Sequence, residues 1–120
     1  MHGLGDLEAL VMDAVWRSEE ELRVRDVMDR LDTDREPAYT TVMTVMDNLY
    51  RKGWLNRERR GRAYRYRAAR SREEAAAEAL RALLDSTGDP EGVLLHFARQ
   101  ATETESKVLS RGLRQRKRPR

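Results

Sequence analysis

A chain of 120 residues, 39% hydrophobic and 38% charged, has room for one domain plus a small appendage, and its core is small enough that a partner subunit is expected to complete it. It has no cysteine, which excludes a disulfide framework and a thiolate metal site; no run approaches the ~18 apolar residues of a membrane span, and MHGLGDLEAL lacks the basic start and apolar stretch of a secretory signal, so a soluble cytoplasmic protein without membrane insertion is predicted. The net charge of +3 is segregated, with −7 on residues 1–50, +8 on 51–70, −4 on 71–110 and +6 on 111–120, and a short, strongly basic stretch in an acidic body points to a polyanionic partner.

The first helix is predicted after Asp6, a residue suited to an N-cap, with Leu7, Leu10, Val11, Ala14 and Val15 turned to the core. Glu21–Val24 reads as a short extended piece with Leu22 and Val24 inward, followed by a second helix over about Arg25–Asp32 with Val27, Met28 and Leu31 on one face. Thr33–Pro37 is a turn, because Pro37 biases Glu36 away from helical geometry. A third helix then runs to Lys52. Val42, Val45, Met46 and Leu49 form its apolar face, Thr40, Thr41, Met43, Thr44, Asn48 and Arg51 its opposite face, and Gly53 its left-handed cap. Leu55–Arg67 reads as two strands around Arg60-Gly61-Arg62, dense in arginine and tyrosine.

The register changes at Ser71, where Ser71-Arg72-Glu73-Glu74 forms a capping box. The helix it opens carries Ala76, Leu80, Leu83 and Leu84, and Gly88 ends it. Asp89 and Pro90 supply an N-cap and first-turn proline for a helix bearing Val93, Leu94, Phe97 and Ala101. Thr102 and Glu105 form a second capping box, opening a last helix with Val108, Leu109 and Leu113. Three short helices cannot bury such stripes unaided, which predicts homodimerisation through residues 71–113, with Leu80, Leu83, Leu84, Leu94, Phe97, Val108 and Leu109 at the contact, the alternative being a monomer whose tail folds back on the first domain. Residues 114–120, RQRKRPR, read as a disordered basic tail that either adds nonspecific DNA affinity or is simply solvated.

This order (helix, short strand, helix, turn, helix, hairpin, then helices) predicts a mainly α chain with a small β-hairpin wing: a winged helix-turn-helix over residues 1–70, followed by a helical dimerisation domain. A helix fits the major groove of double-stranded DNA and its N-terminal residues reach base edges. Thr40, Thr41 and Thr44 offer hydroxyls to bases or phosphates and methyl groups to thymine, and Met43 offers an apolar contact. Asn48 can pair with adenine or reach a phosphate, Arg51 and Lys52 are placed as phosphate anchors, and Arg60 and Arg62 flank the turn glycine of the wing. Tyr39 either contacts DNA or closes the core over the turn. Tyr50, Tyr64 and Tyr66 read as packing residues at the helix–wing junction, with Tyr64 nearest a phosphate, and Trp16 and Trp54 as buried packing residues. Asp47, on the same side, would repel phosphate unless an arginine pairs with it.

Catalysis finds no support: His96 has no partner at ligand spacing, and there is no phosphate loop, nucleophile elbow or paired carboxylate motif. No cofactor or metal is expected. The rival reading is a winged-helix module that uses its basic hairpin for nonspecific nucleic-acid binding or for docking an acidic protein.

LGDLEALVMDAVW, VRDVMDRL, AYTTVMTVMDNLYRKGWLNRERRGRAYRYR and the SREE junction resemble the penicillinase repressor family over about residues 4–98. This family comprises β-lactamase and methicillin-resistance regulators together with copper-responsive repressors; the TTVMTVMDNLYRKG helix and the RRGRAYRYR wing are the most specific parts of the likeness. The resemblance implies a dimer bound to a palindromic operator, repressing β-lactamase and cell-wall stress genes. It further implies release when a membrane sensor-protease detects β-lactam and the repressor is cut within its dimerisation domain. The family's scissile Asn-Phe pair falls on His96-Phe97, where the phenylalanine is kept and the asparagine is not. The cysteine cluster of the copper-responsive members is absent.

Overall fold

The computed structural model describes residues 3–34 and 36–116. Its elements are α1 (Asp6–Trp16), α2 (Val24–Arg30), α3 (Tyr39–Arg51), β1 (Leu55–Arg60), β2 (Ala63–Ala68), α4 (Arg72–Ser86), α5 (Pro90–Gln100) and α6 (Glu103–Gln115). They divide into two compact units, Met1–Ala79 and Leu80–Arg120.

The first unit is a winged helix. Val11, Met12, Ala14 and Val15 of α1, Val24 and Val27 of α2, and Val42, Met46 and Leu49 of α3 form one core with Leu22, Leu55 and Tyr66. Met12 lies wholly inside it although the sequence reading left it out. The hairpin pairs Leu55 with Ala68 at its base and Arg60 with Ala63 at its tip. Gly61 alone has positive φ in that turn, at 65°, as a two-residue loop that keeps the strands' twist requires. Leu22 exchanges two backbone hydrogen bonds of 2.8 Å with Tyr66, so the short extended piece adds a bridge at the edge of the wing.

Three local expectations shift. Asp6 is the first helical residue rather than the cap; Gly5 occupies the cap, and its N–H donates to Glu8 Oε1 at 2.9 Å. Val24 is helical rather than extended, because Asp26 accepts the Arg23 N–H at 2.9 Å and starts α2 one residue earlier. Ala75, one position from the expected Ala76, is the α4 side chain that is buried. Trp16 and Trp54 meet edge to face at 6.3 Å, and the Trp16 indole donates to the Arg70 carbonyl at 3.0 Å. Arg72 reaches back to Asp13 at 2.8 Å, so the start of α4 is bound to α1.

In the second unit both expected caps form. Asp89 accepts the Gly92 N–H at 3.1 Å, while Thr102 and Glu105 cap α6 reciprocally at 3.1 and 2.8 Å. No residue from 80 to 116 is buried. Helix α6 continues through Gln115, two residues into the segment expected as a tail; residues 117–120 lie outside the described ones.

Candidate nucleic-acid interface

Helix α3 is divided lengthwise. Val42, Met46 and Leu49 are fully buried, whereas Tyr39, Thr40, Thr41, Met43, Thr44, Asn48 and Arg51 are exposed. Among the described residues of the first unit the exposed large apolar side chains are Tyr39, Met43, Tyr50 and Tyr64, all on α3 or β2. The other large apolar groups described in this unit are buried or half-buried, and these four are left out on one helix and the neighbouring strand, beside the hairpin that carries Arg57, Arg59, Arg60, Arg62, Arg65 and Arg67. Every candidate contact from Tyr39 to Tyr64 is therefore on the surface of these two neighbouring features.

The state of each group is less uniform than its residue type. The Thr44 hydroxyl donates to the Thr40 carbonyl at 2.9 Å, a back-bond within the helix. Its donor is thus occupied, leaving an acceptor and a methyl group outward. Arg51 is held by Asp47 at 2.9 Å. Lys52 is engaged away from the wing, donating to both Glu8 oxygens at 3.0 and 2.9 Å. The same Glu8 carboxylate caps α1, and its pKa is lowered first by the Gly5 N–H and then by Lys52. Arg60 reaches Glu21 at 3.2 Å and Glu58 at 3.7 Å. Arg62 makes no ion pair among the described residues.

Asp47 receives the arginine that its position calls for, and twice over. Besides Arg51, it accepts from Arg57 Nη1 at 2.8 Å. The Arg57 guanidinium lies 4.0 Å from the Tyr50 ring centre and 4.1 Å from that of Tyr64. Tyr50 and Tyr64 pack at the helix–wing junction through this arginine, while Tyr66 goes into the core. The sequence reading missed Arg57 as a distinct residue, because within a run of arginines its type alone does not separate a cation that packs from one that faces solvent.

No group of three potential metal ligands exists among the described residues, and no helix there is long and apolar enough to cross a membrane. The penicillinase repressor family model matches residues 4–115. The chain belongs to the penicillinase repressor family. It is 39% identical over 114 residues, 92% of this chain and 82% of the relative, to the transcriptional regulator BlaI of Mycobacterium tuberculosis, in strains CDC 1551 and H37Rv alike. Among solved structures, Streptococcus pneumoniae FabT in complex with DNA aligns at TM-score 0.48 and 18% identity, over 92% of this chain and 71% of that one. Bordetella bronchiseptica BpsR aligns at 0.47 and 16%, over 92% and 73%. Scores of that size do not equate two folds. By its family this is a transcriptional repressor rather than an enzyme.

Proposed function

We propose that the chain is a homodimeric repressor that sets two copies of α3 into the major groove of a palindromic operator in double-stranded DNA, with the wing on the flanking backbone. The observation that carries this reading is the division of α3 between a buried apolar face of Val42, Met46 and Leu49 and an exposed face that includes Thr40, Thr41, Thr44 and Asn48, next to an arginine-rich hairpin. Tyr39, Thr40, Thr41, Met43, Thr44 and Asn48 face the bases or the nearest phosphates. Arg51, Lys52, Arg60, Arg62 and Tyr64 serve the backbone, Arg51, Lys52 and Arg60 by exchanging their carboxylate partners for phosphate.

Dimerisation is supported by the second unit. Leu80, Leu83, Leu94, Phe97, Val108 and Leu109 are between 49% and 61% exposed, and helices that bury nothing among themselves do not stand alone in water. The same segment of a second copy, Leu84 included, would cover them. Two linked half-sites multiply affinity without any new contact to DNA, so the dimer contact is also the natural point of release.

The family's name, penicillinase repressor, favours β-lactamase genes as targets; cell-wall stress genes as further targets, action in the cytoplasm and a membrane sensor-protease as the releasing partner follow from the resemblance of the sequence to that family. The bond between His96 and Phe97 lies inside α5 with both side chains exposed, so a protease acting there must first open that helix. Selection of bound fragments from genomic DNA by the purified protein tests the whole reading. A recovered palindrome upstream of β-lactamase or sensor-protease genes is expected. Recovery of random fragments alone would instead favour nonspecific or protein docking by the wing.

A further inference from the structure

Arg57 differs from the other arginines of the wing in what surrounds it. It stands on β1, its Nη1 donates to Asp47 Oδ1 on α3 at 2.8 Å, and its guanidinium is flanked at 4.0 Å by Tyr50 of α3 and at 4.1 Å by Tyr64 of β2. Its side chain is only 20% exposed, against 57% for Arg60 and 75% for Arg51. One planar cation therefore ties both strands of the hairpin to α3. Two tyrosine rings lie within about 4 Å of its central carbon and a carboxylate takes one of its nitrogens, so little of it is left for a phosphate. Asp47 is otherwise unfavourable on a surface meant for DNA, since a carboxylate there opposes phosphate.

We infer that Arg57, clasped by Asp47, Tyr50 and Tyr64, is a positioning residue for operator recognition: it fixes the wing relative to α3 and does not itself bind a phosphate. This rests on the reading of α3 and the wing as the DNA surface. Bases are read only when helix and backbone contacts are in register together. A loosened wing therefore costs discrimination between sequences more than it costs general attraction to DNA. Lysine would not substitute, because it keeps the charge but has no planar group to lie between two rings.

The two roles predict opposite signs for one substitution. Asp47→Asn removes a negative charge beside DNA, so electrostatics alone would tighten binding to every duplex. A positioning role has it weaken binding to the duplex recovered by selection, by about tenfold, the worth of one good base contact, with a scrambled duplex of equal length bound as well as before or better. Arg57→Lys should lose discrimination similarly, while its salt slope stays that of the wild type. Both full-length variants are compared with the wild type by titration against the two duplexes over a range of salt, with melting temperatures as a check on folding. Tighter binding of Asp47→Asn to both duplexes would overturn the inference, as would a wild-type ratio in Arg57→Lys. Should Arg57→Lys fail to fold, the sign of the Asp47→Asn effect decides alone. A wild type that does not discriminate between the duplexes would remove the DNA-reading proposal and this one with it; a discriminating wild type leaves Arg57 alone at stake.

Discussion

The two units treat the same kind of side chain in opposite ways. Among the described residues of 1–79, leucine, valine and methionine from three helices and a hairpin close over one another, and the large apolar side chains that stay exposed lie on α3 and the wing. In residues 80–116, apolar side chains of similar size recur at helical spacing and none is buried. Burial of a large apolar side chain contributes about 1.5–3 kcal/mol. The first unit thus carries its stability within itself, and the second has the material for stability without a surface to use it on. The contrast teaches where substitutions should be felt, as folding in one unit and as assembly in the other.

The sharpest way to break that contrast is a charge in the second unit. Leu83→Glu with Leu109→Glu should leave the melting of the winged helix nearly unchanged. It should make the protein sediment as a monomer and weaken operator binding by about a thousandfold, the gain that linking two half-sites provides. If operator affinity held while the stripes were charged, dimerisation would lie elsewhere. The matching change in the first unit is Met46→Ala, at a fully buried position. It should cost about 3 kcal/mol of unfolding free energy in urea titration, with no change in oligomeric state.

Surface changes in the first unit sharpen the comparison further. Arg62→Ala should flatten the salt dependence of binding by about 0.9, one phosphate contact's worth. Arg60→Ala should flatten it by less, because Arg60 must leave Glu21 before it meets phosphate; equal slopes would mean that the Glu21 pair is of no consequence in solution.

The smallest effect concerns the start of α2. Hydrogen bonds from the Arg23 side chain, and then from its backbone N–H, lower the pKa of Asp26 to about 2. A carboxylate whose folded pKa is depressed stabilises the protein above its unfolded value near 4, and that contribution is lost as pH falls toward 2. Discounted for solvent screening, it is about 1 kcal/mol. Asp26→Asn should therefore lower the urea midpoint at neutral pH, and the gap from wild type should narrow between pH 4 and pH 2.

Much of this was legible along the chain, and for a consistent reason. The apolar face of α3, its Gly53 terminus, the Gly61 turn and the caps at Ser71, Asp89 and Thr102 are all set by residues within a few positions of one another. Local propensity, capping and periodicity act at that range, so the sequence by itself determined the elements, their order and which face of α3 is free. Tertiary structure alone decided the pairs. Glu8 holds Lys52 across 44 positions, Glu21 holds Arg60 across 39, and Trp16 donates to Arg70 across 54. Even Asp47 and Arg57, 10 positions apart, meet only because the hairpin folds back on α3. Which arginines are tied up and which face solvent follows from that packing, since charge type fixes what a residue can bind but only its neighbours in space fix what it does bind.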